Sequence, residues 1–92
     1  MDPARRESIE QNIGRALLEQ WDPLGVHDEP GRQDEYTPYA HELYTLLARG
    51  ASDVQIARHL HRIELEELHR PELTTRDITP LIRTLRHMES TL

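Results

Sequence analysis

The sequence predicts an all-α protein, a compact four-helix bundle-like domain that spans residues 1–92 and has a long acidic loop between its first two helices. Three observations predict this fold class. Apolar residues recur at steps of three and four in four segments, and no stretch keeps the alternation of period two that a strand requires. Breaks at Pro23, Pro30–Gly31, Gly50 and Pro71 separate the segments. Four amphipathic helices must bury their apolar stripes against one another, which produces a bundle.

The first helix is expected to start with Asp2 as N-cap and Pro3 as its first residue. Its apolar stripe advances in steps of four residues: Ile9, Ile13, Leu17 and Trp21. Pro23 ends it, because proline lacks an N–H and restricts the residue before it.

The remaining helices carry their own boundary signals. Thr37 as N-cap, followed by Pro38 in the first turn, predicts the start of the second helix, and Gly50 predicts its end. Ser52 and Gln55 form a capping box for the third helix. Pro80 places the start of the fourth helix near residues 77–79, and its apolar stripe is Ile78, Leu81, Ile82, Leu85 and Met88.

Composition excludes several classes of function. The chain has no Cys, so disulfides, thiolate nucleophiles and Cys-ligated metals are excluded. No apolar run approaches the length of a membrane span, and residues 1–9 are charged, so we expect a cytoplasmic protein without membrane contact. The net charge of −6 disfavours nucleic acid and is compatible with a basic protein partner. We expect no cofactor and no metal.

Residues 22–37 hold five carboxylates and one arginine, so this loop carries −4 of the chain's net charge of −6. At its start, Trp21, Leu24 and Val26 are expected to pin the loop to the core. Asp22 is expected to accept from backbone N–H groups of the turn, and Gly25 to adopt a positive φ.

The strings WDPLGVHDEPGRQDEY (21–36), LYTLLARGAS (43–52) and IARHL (56–60) resemble a family of small bacterial proteins of unknown function. That family carries a W-D-P-x-G-V signature, then D-E-Y, a helix ending in L-L-x-x-G-A-S and a capped helix ending near I-E. The resemblance covers residues 9–68 and implies an all-helical fold and no particular activity. Residues 67–80 depart from the family pattern, which has a short Met-Gly turn there.

The acidic loop has a plain interpretation, which is solvated charge on a connection, and a sharper one, which is a docking surface for a basic protein. A Ca²⁺ site is a weaker alternative, because DEPGRQDE lacks the alternating oxygen ligands of an EF-hand. The partner-binding residues predicted are Trp21, Asp22, Val26, Asp28, Glu29, Asp34, Glu35, Tyr36 and Tyr39.

Glu64 and Glu67 fall on the apolar face of the third helix if it turns by 100° per residue. Buried carboxylates need donors, and a Tyr hydroxyl, the Trp21 indole, His41 or an Arg are candidates. These residues are structural in the plainer interpretation. The alternative is a polar site of Glu64, Glu67 and His41 with acid–base or metal chemistry.

Our leading hypothesis is a small acidic protein-interaction module, of a toxin-neutralising (immunity-like) or adaptor kind, that uses the 22–37 loop for recognition. The first alternative is a helix-turn-helix-like DNA-binding protein, because LLARGASDVQIARHL (46–60) resembles the first half of that motif. Its basic element would be the fourth helix, with Arg76, Arg83, Arg86 and His87. The second alternative is a small metal-dependent hydrolase that uses Glu64 and Glu67. Homodimerisation is left open.

Overall fold

The computed structural model describes residues 3–89, and within that range it contains four α-helices, two short helical turns and no strand. The all-α class is therefore confirmed. The α-helices are α1 (Pro3–Gln20), α2 (Thr37–Ala48), α3 (Asp53–Arg62) and α4 (Thr79–Glu89). A π-helical turn (Ile63–Glu67) continues α3, and a 3₁₀ helix (Pro71–Thr75) precedes α4. Asp2, the predicted N-cap of α1, lies outside the described residues.

The core forms around α1, which packs against both α2 and α4. Ile13 and Leu17 of α1 are completely buried, together with Leu43 of α2 and Leu85 of α4. Ile13, Leu17 and Leu85 belong to the predicted apolar stripes, so the periodicity of the sequence locates the packed faces of α1 and α4. No helix between residues 3 and 89 is both long and apolar enough to cross a membrane.

The turn between α2 and α3 follows the predicted signals. Gly50 has a φ of 78°, which only glycine adopts without strain, and the chain leaves α2 there. The Ser52 hydroxyl accepts from the Gln55 N–H at 3.2 Å, and the Gln55 side chain accepts from the Ser52 N–H at 2.8 Å. This capping box satisfies two backbone donors and fixes the start of α3.

The start of α2 differs from the prediction. Thr37 is the first residue of the helix and not its N-cap, because the first intrahelical bond goes from the Ala40 N–H to the Tyr36 carbonyl at 3.0 Å. Tyr36 occupies the N-cap position and makes no side-chain capping bond. The connection between α1 and α2 is therefore residues 21–36, which we call the 21–36 segment.

The end of α3 also differs. The predicted face placed Glu64 and Glu67 together, but Glu64 is fully buried and Glu67 is exposed. The cause is the π-helical turn, in which the Leu68 N–H bonds to the Ile63 carbonyl five residues earlier at 2.9 Å. This wider turn breaks the spacing of 100° per residue on which the prediction depended.

Candidate functional site

Three of the predicted partner-binding residues form part of the core. Trp21, Val26 and Tyr36 are each only 1% exposed. The Trp21 ring lies 5.6 Å from that of Tyr36 and 6.0 Å from that of the half-buried Tyr39, distances typical of favourable aromatic pairs. Their side chains are therefore not available to a partner in this structure, and they hold the 21–36 segment against the bundle.

Asp22 organises the backbone of the 21–36 segment. Its Oδ1 accepts from the Val26 N–H and from the Tyr36 hydroxyl, both at 2.8 Å. Its Oδ2 accepts from the His27 N–H at 3.2 Å and lies 2.5 Å from His27 Nδ1. The Tyr36 hydroxyl in turn accepts from the Leu24 N–H at 3.1 Å. Asp22 therefore ties the start of the segment to its end.

These hydrogen bonds change the acidity of Asp22. Burial raises its carboxyl pKa, but the bonds from Val26, His27 and Tyr36 favour the charged form more strongly, and the pKa falls to about 2. The same carboxylate raises the pKa of His27, with a further contribution from the charge of Asp28. Burial also raises the pKa of Tyr36, so its hydroxyl stays protonated as a donor to Asp22.

Glu64 is the fully buried carboxylate of the described chain, with an exposure of 0%. Its Oε2 accepts from the Trp21 indole at 2.8 Å, which is one of the donors that the sequence suggested. Its Oε1 lies 2.7 Å from His61 Nδ1, and the Arg76 guanidinium is 3.6 Å from Oε2. Glu64 is satisfied by donors from three parts of the chain, which is the arrangement of a structural carboxylate.

The other members of the predicted polar site lie elsewhere. Glu67 is exposed on the π-helical turn and contributes to the raised pKa of Tyr39, after the larger effect of burial. His41 Nδ1 is 2.9 Å from Glu10 of α1 and has no contact with Glu64. Glu64, Glu67 and His41 therefore form no common site. Within residues 3–89, no three His, Asp or Glu side chains converge as metal ligands do.

The remaining acids of the 21–36 segment divide into two kinds. Arg32, its only arginine, donates to Glu35 at 2.9 Å and lies 3.6 Å from Glu29, so these two charges are partly balanced inside the segment. Asp28 has an exposed side chain (89%), with His27 Nε2 at 3.3 Å. Asp34 is exposed, and no cation of the described chain pairs with it.

An open groove runs between α1 and the 21–36 segment, and sequence reasoning missed it. Its charged lining residues are three carboxylates and one arginine, namely Glu7, Glu10, Asp34 and Arg15, placed around Gly14 and Leu18. Glu10 is held in place by Arg6 at 3.2 Å and by His41. The groove therefore brings carboxylates of α1 and Asp34 of the 21–36 segment onto one surface. The only hint in the sequence is that Glu7 and Gly14 share one face of α1, two turns apart.

The basic side chains proposed for DNA binding are mostly engaged inside the protein. Arg76 faces Glu64. Arg86 donates to Asp53 at 2.6 Å, to Glu89 at 2.7 Å and to the Ala51 carbonyl. Arg86 therefore ties α4 to the start of α3, and it does not offer a free guanidinium to phosphate.

Comparison of the chain with models of protein families, with curated proteins and with solved structures finds no match. The function therefore has to be inferred from the geometry of these residues. That geometry consists of exposed carboxylates on a segment whose ends are held by side-chain contacts, a groove beside this segment, and a separate buried carboxylate that acts in packing.

The buried Glu64 leads to a prediction about stability. Glu64→Ala should lower the free energy of unfolding by about 3 kcal/mol, because it leaves the Trp21 indole and His61 without their acceptor. Glu66→Ala, in the same π-helical turn but exposed, is the control and should change it by less than about 0.5 kcal/mol. Urea denaturation followed by Trp21 fluorescence measures both. Equal effects of the two variants would show that Glu64 is not a structural link.

The Asp22–His27 pair predicts a dependence of stability on pH. The pKa of Asp22 is below its ordinary 3.8, so its contribution is complete above that pH and is lost as the pH falls towards 2. The pKa of His27 is above its ordinary 6.5, so its contribution is complete below that pH and is lost as the pH rises through the folded-state value. Asp22→Asn should therefore reduce two changes in the urea midpoint, namely its fall at acid pH and its fall above the pKa of His27. We call these the two limbs of the plot of urea midpoint against pH.

Asp34→Asn, which removes an exposed carboxylate of the same segment, is the control for this experiment and should keep the shape of the wild-type profile. If Asp22→Asn also keeps that shape, the assignment of the two limbs to the Asp22–His27 pair is wrong.

Proposed function

We propose that this protein is a small protein-interaction module that recognises a basic partner through an acidic surface. The surface consists of Asp28, Glu29 and Asp34 of the 21–36 segment and Glu7 of α1, which we call the acidic surface. The observation that carries the proposal is the exposure of Asp28 and Asp34 on a segment whose backbone is fixed at both ends. Clustered charge of one sign steers an oppositely charged protein and favours one orientation of approach.

The fixed backbone supports this proposal. Trp21 and Tyr36 anchor the two ends of the segment, and Asp22 bonds across it. A surface that is already ordered loses little conformational entropy when a partner binds, so more of the interaction energy appears as affinity. The buried aromatic residues therefore contribute to recognition indirectly, by holding the carboxylates in place.

The groove suggests how a partner's side chain is accommodated. An arginine or lysine has an apolar stem, which would pack on Gly14 and Leu18, and a cationic head, which would reach Glu7 or Asp34. Arginine fits best, because its guanidinium binds carboxylates through two parallel hydrogen bonds. A basic protein with a projecting arginine is thus the partner that matches both the charge and the shape.

The finer parts of the interpretation rest on the sequence. We propose a toxin-neutralising (immunity-like) or adaptor role in the cytoplasm, and membership in the family with the W-D-P-x-G-V signature. The two alternative functions have less support. DNA binding would need Arg76 and Arg86, which are engaged with Glu64 and Asp53. A hydrolase that uses Glu64 would need this side chain to reach its substrate, but Glu64 is fully buried.

The proposal is tested with a charge-matched pair of triple variants. One is Asp28→Asn, Glu29→Gln and Asp34→Asn on the acidic surface. The control is Glu19→Gln, Glu66→Gln and Glu72→Gln, which neutralises three exposed carboxylates elsewhere and gives the same net charge. The probe is a peptide of about 10 residues with alternating Arg and Leu, measured by calorimetry at several salt concentrations.

The acidic-surface variant should bind the peptide about tenfold more weakly, since three partly screened contacts of roughly 0.5 kcal/mol each sum to that factor. Its affinity should also depend less on salt. The control should bind almost as the wild type does. If both triple variants lose affinity equally, only the net charge matters and the proposed surface is wrong.

A further inference from the structure

We propose that the outward face of α3 and of the π-helical turn is a second docking surface, and that it binds an acidic amphipathic segment of another protein. This face presents Val54, Arg58, Arg62 and Leu65, and we call it the α3 face. It is distinct from the acidic surface and opposite to it in charge. Its function therefore does not depend on the function proposed above.

The first observation is the exposure of two large apolar side chains. Val54 is 59% exposed and Leu65 is 47% exposed, and no other large apolar residue in the described part of the chain is classed as exposed. Val54 lies in the first turn of α3 and Leu65 in the π-helical turn that continues it, so the two stand near opposite ends of this helical stretch. A single exposed apolar residue is ordinary, but two of them beside exposed arginines supply the mixture of apolar and charged contacts found at interaction surfaces.

The second observation is the charge between them. Arg58 and Arg62 are exposed and stand four positions apart, so they are neighbours on this face. No carboxylate of residues 3–89 forms an ion pair with either of them. The Arg62 guanidinium lies 3.2 Å from His59 Nδ1, and the Glu42 carboxylate lies 3.0 Å from Nε2 on the other side of that ring.

A groove beside this face adds a third arginine. Arg49, at the end of α2, lines it together with Leu46, Gln55, Arg58 and Arg62. The groove is open and combines cationic heads with an apolar side chain. Three guanidinium groups that form no ion pair with a carboxylate of residues 3–89, two of them on α3 and one at the end of α2, are suited to bind several carboxylates through paired hydrogen bonds.

The face is presented by a well-anchored helix. The opposite side of α3 is buried in the core through Ile56 and Leu60, and the capping box of Ser52 fixes its start. The α3 face therefore does not have to become ordered when it binds.

The combination of apolar and cationic groups selects the class of partner. Nucleic acid would match the arginines but would leave Val54 and Leu65 without contacts, and the chain's net charge of −6 would repel it. A second copy would offer its acidic surface, but the large apolar residues of its 21–36 segment, such as Trp21 and Val26, are buried. A helix with acidic and apolar residues at spacings of three and four satisfies both parts of the face.

The test is a titration of the ¹⁵N-labelled full chain with a synthetic peptide of about 15 residues that carries Glu and Leu at helical spacing. We expect chemical-shift changes at Arg49 and along residues 54–65. Arg58→Gln with Arg62→Gln should weaken binding about tenfold, and so should replacement of the peptide's Leu residues by Ser. Arg70→Gln with Arg83→Gln, two exposed arginines elsewhere, is the control of equal net charge and should keep the wild-type affinity.

Several outcomes would overturn the proposal. One is that the peptide changes chemical shifts only at residues outside Arg49 and residues 54–65. Another is that the Arg58→Gln, Arg62→Gln variant and the Arg70→Gln, Arg83→Gln variant weaken peptide binding equally. Tighter binding of a short DNA duplex than of the peptide at these residues would make nucleic acid the occupant. Dimerisation in sedimentation that Arg58→Gln with Arg62→Gln abolishes would make a second copy the occupant. All substituted side chains are exposed, so urea midpoints close to the wild type will verify that the variants fold.

Discussion

The hydrogen bond between the buried Glu64 carboxylate and the Trp21 indole is the interaction on which the rest of the structure depends. It joins the end of α1 to the turn that follows α3, across 43 positions of sequence. A carboxylate without exposure is tolerated only where donors surround it, and Glu64 has Trp21, His61 and Arg76. The π-helical turn shapes this arrangement, because Glu64 stays on the buried side, where a regular helix would also place it, while Glu67 is turned out to solvent.

The position of Trp21 in turn determines the path of the 21–36 segment. With Trp21 and Tyr36 buried against each other, Asp22 can accept from both the Tyr36 hydroxyl and the backbone of the turn. The segment has little regular secondary structure, yet its ends are fixed by side chains. The other carboxylates of the segment are not buried, and those of Asp28, Glu29 and Asp34 are exposed to solvent. The buried hydrogen bond between Glu64 and Trp21 is thus linked to the charged surface, because Asp22 follows Trp21 directly in the sequence.

Sequence reasoning recovers what depends on local chemistry. The capping box of Ser52, the positive φ of Gly25 and the bonds from Asp22 to the turn all follow from residue type and spacing within a few positions. It fails where the helix departs from its regular period, as at Glu67, whereas the buried position of Glu64 agrees with the prediction. It also misses the groove beside Glu7, because the groove exists only when α1 and the 21–36 segment are folded together. Burial of Tyr36 likewise depends on tertiary packing.

Both proposed surfaces depend on the buried link, because Glu64 and Trp21 connect the helix that carries the α3 face to the segment that carries the acidic surface. Hydrogen exchange of the Trp21 indole N–H, followed by NMR, tests this link most directly. Because the indole is buried and bonded to Glu64, its exchange should require global unfolding and be as slow as that of the most protected core amides. Exchange near the rate of a free indole under native conditions would contradict the account.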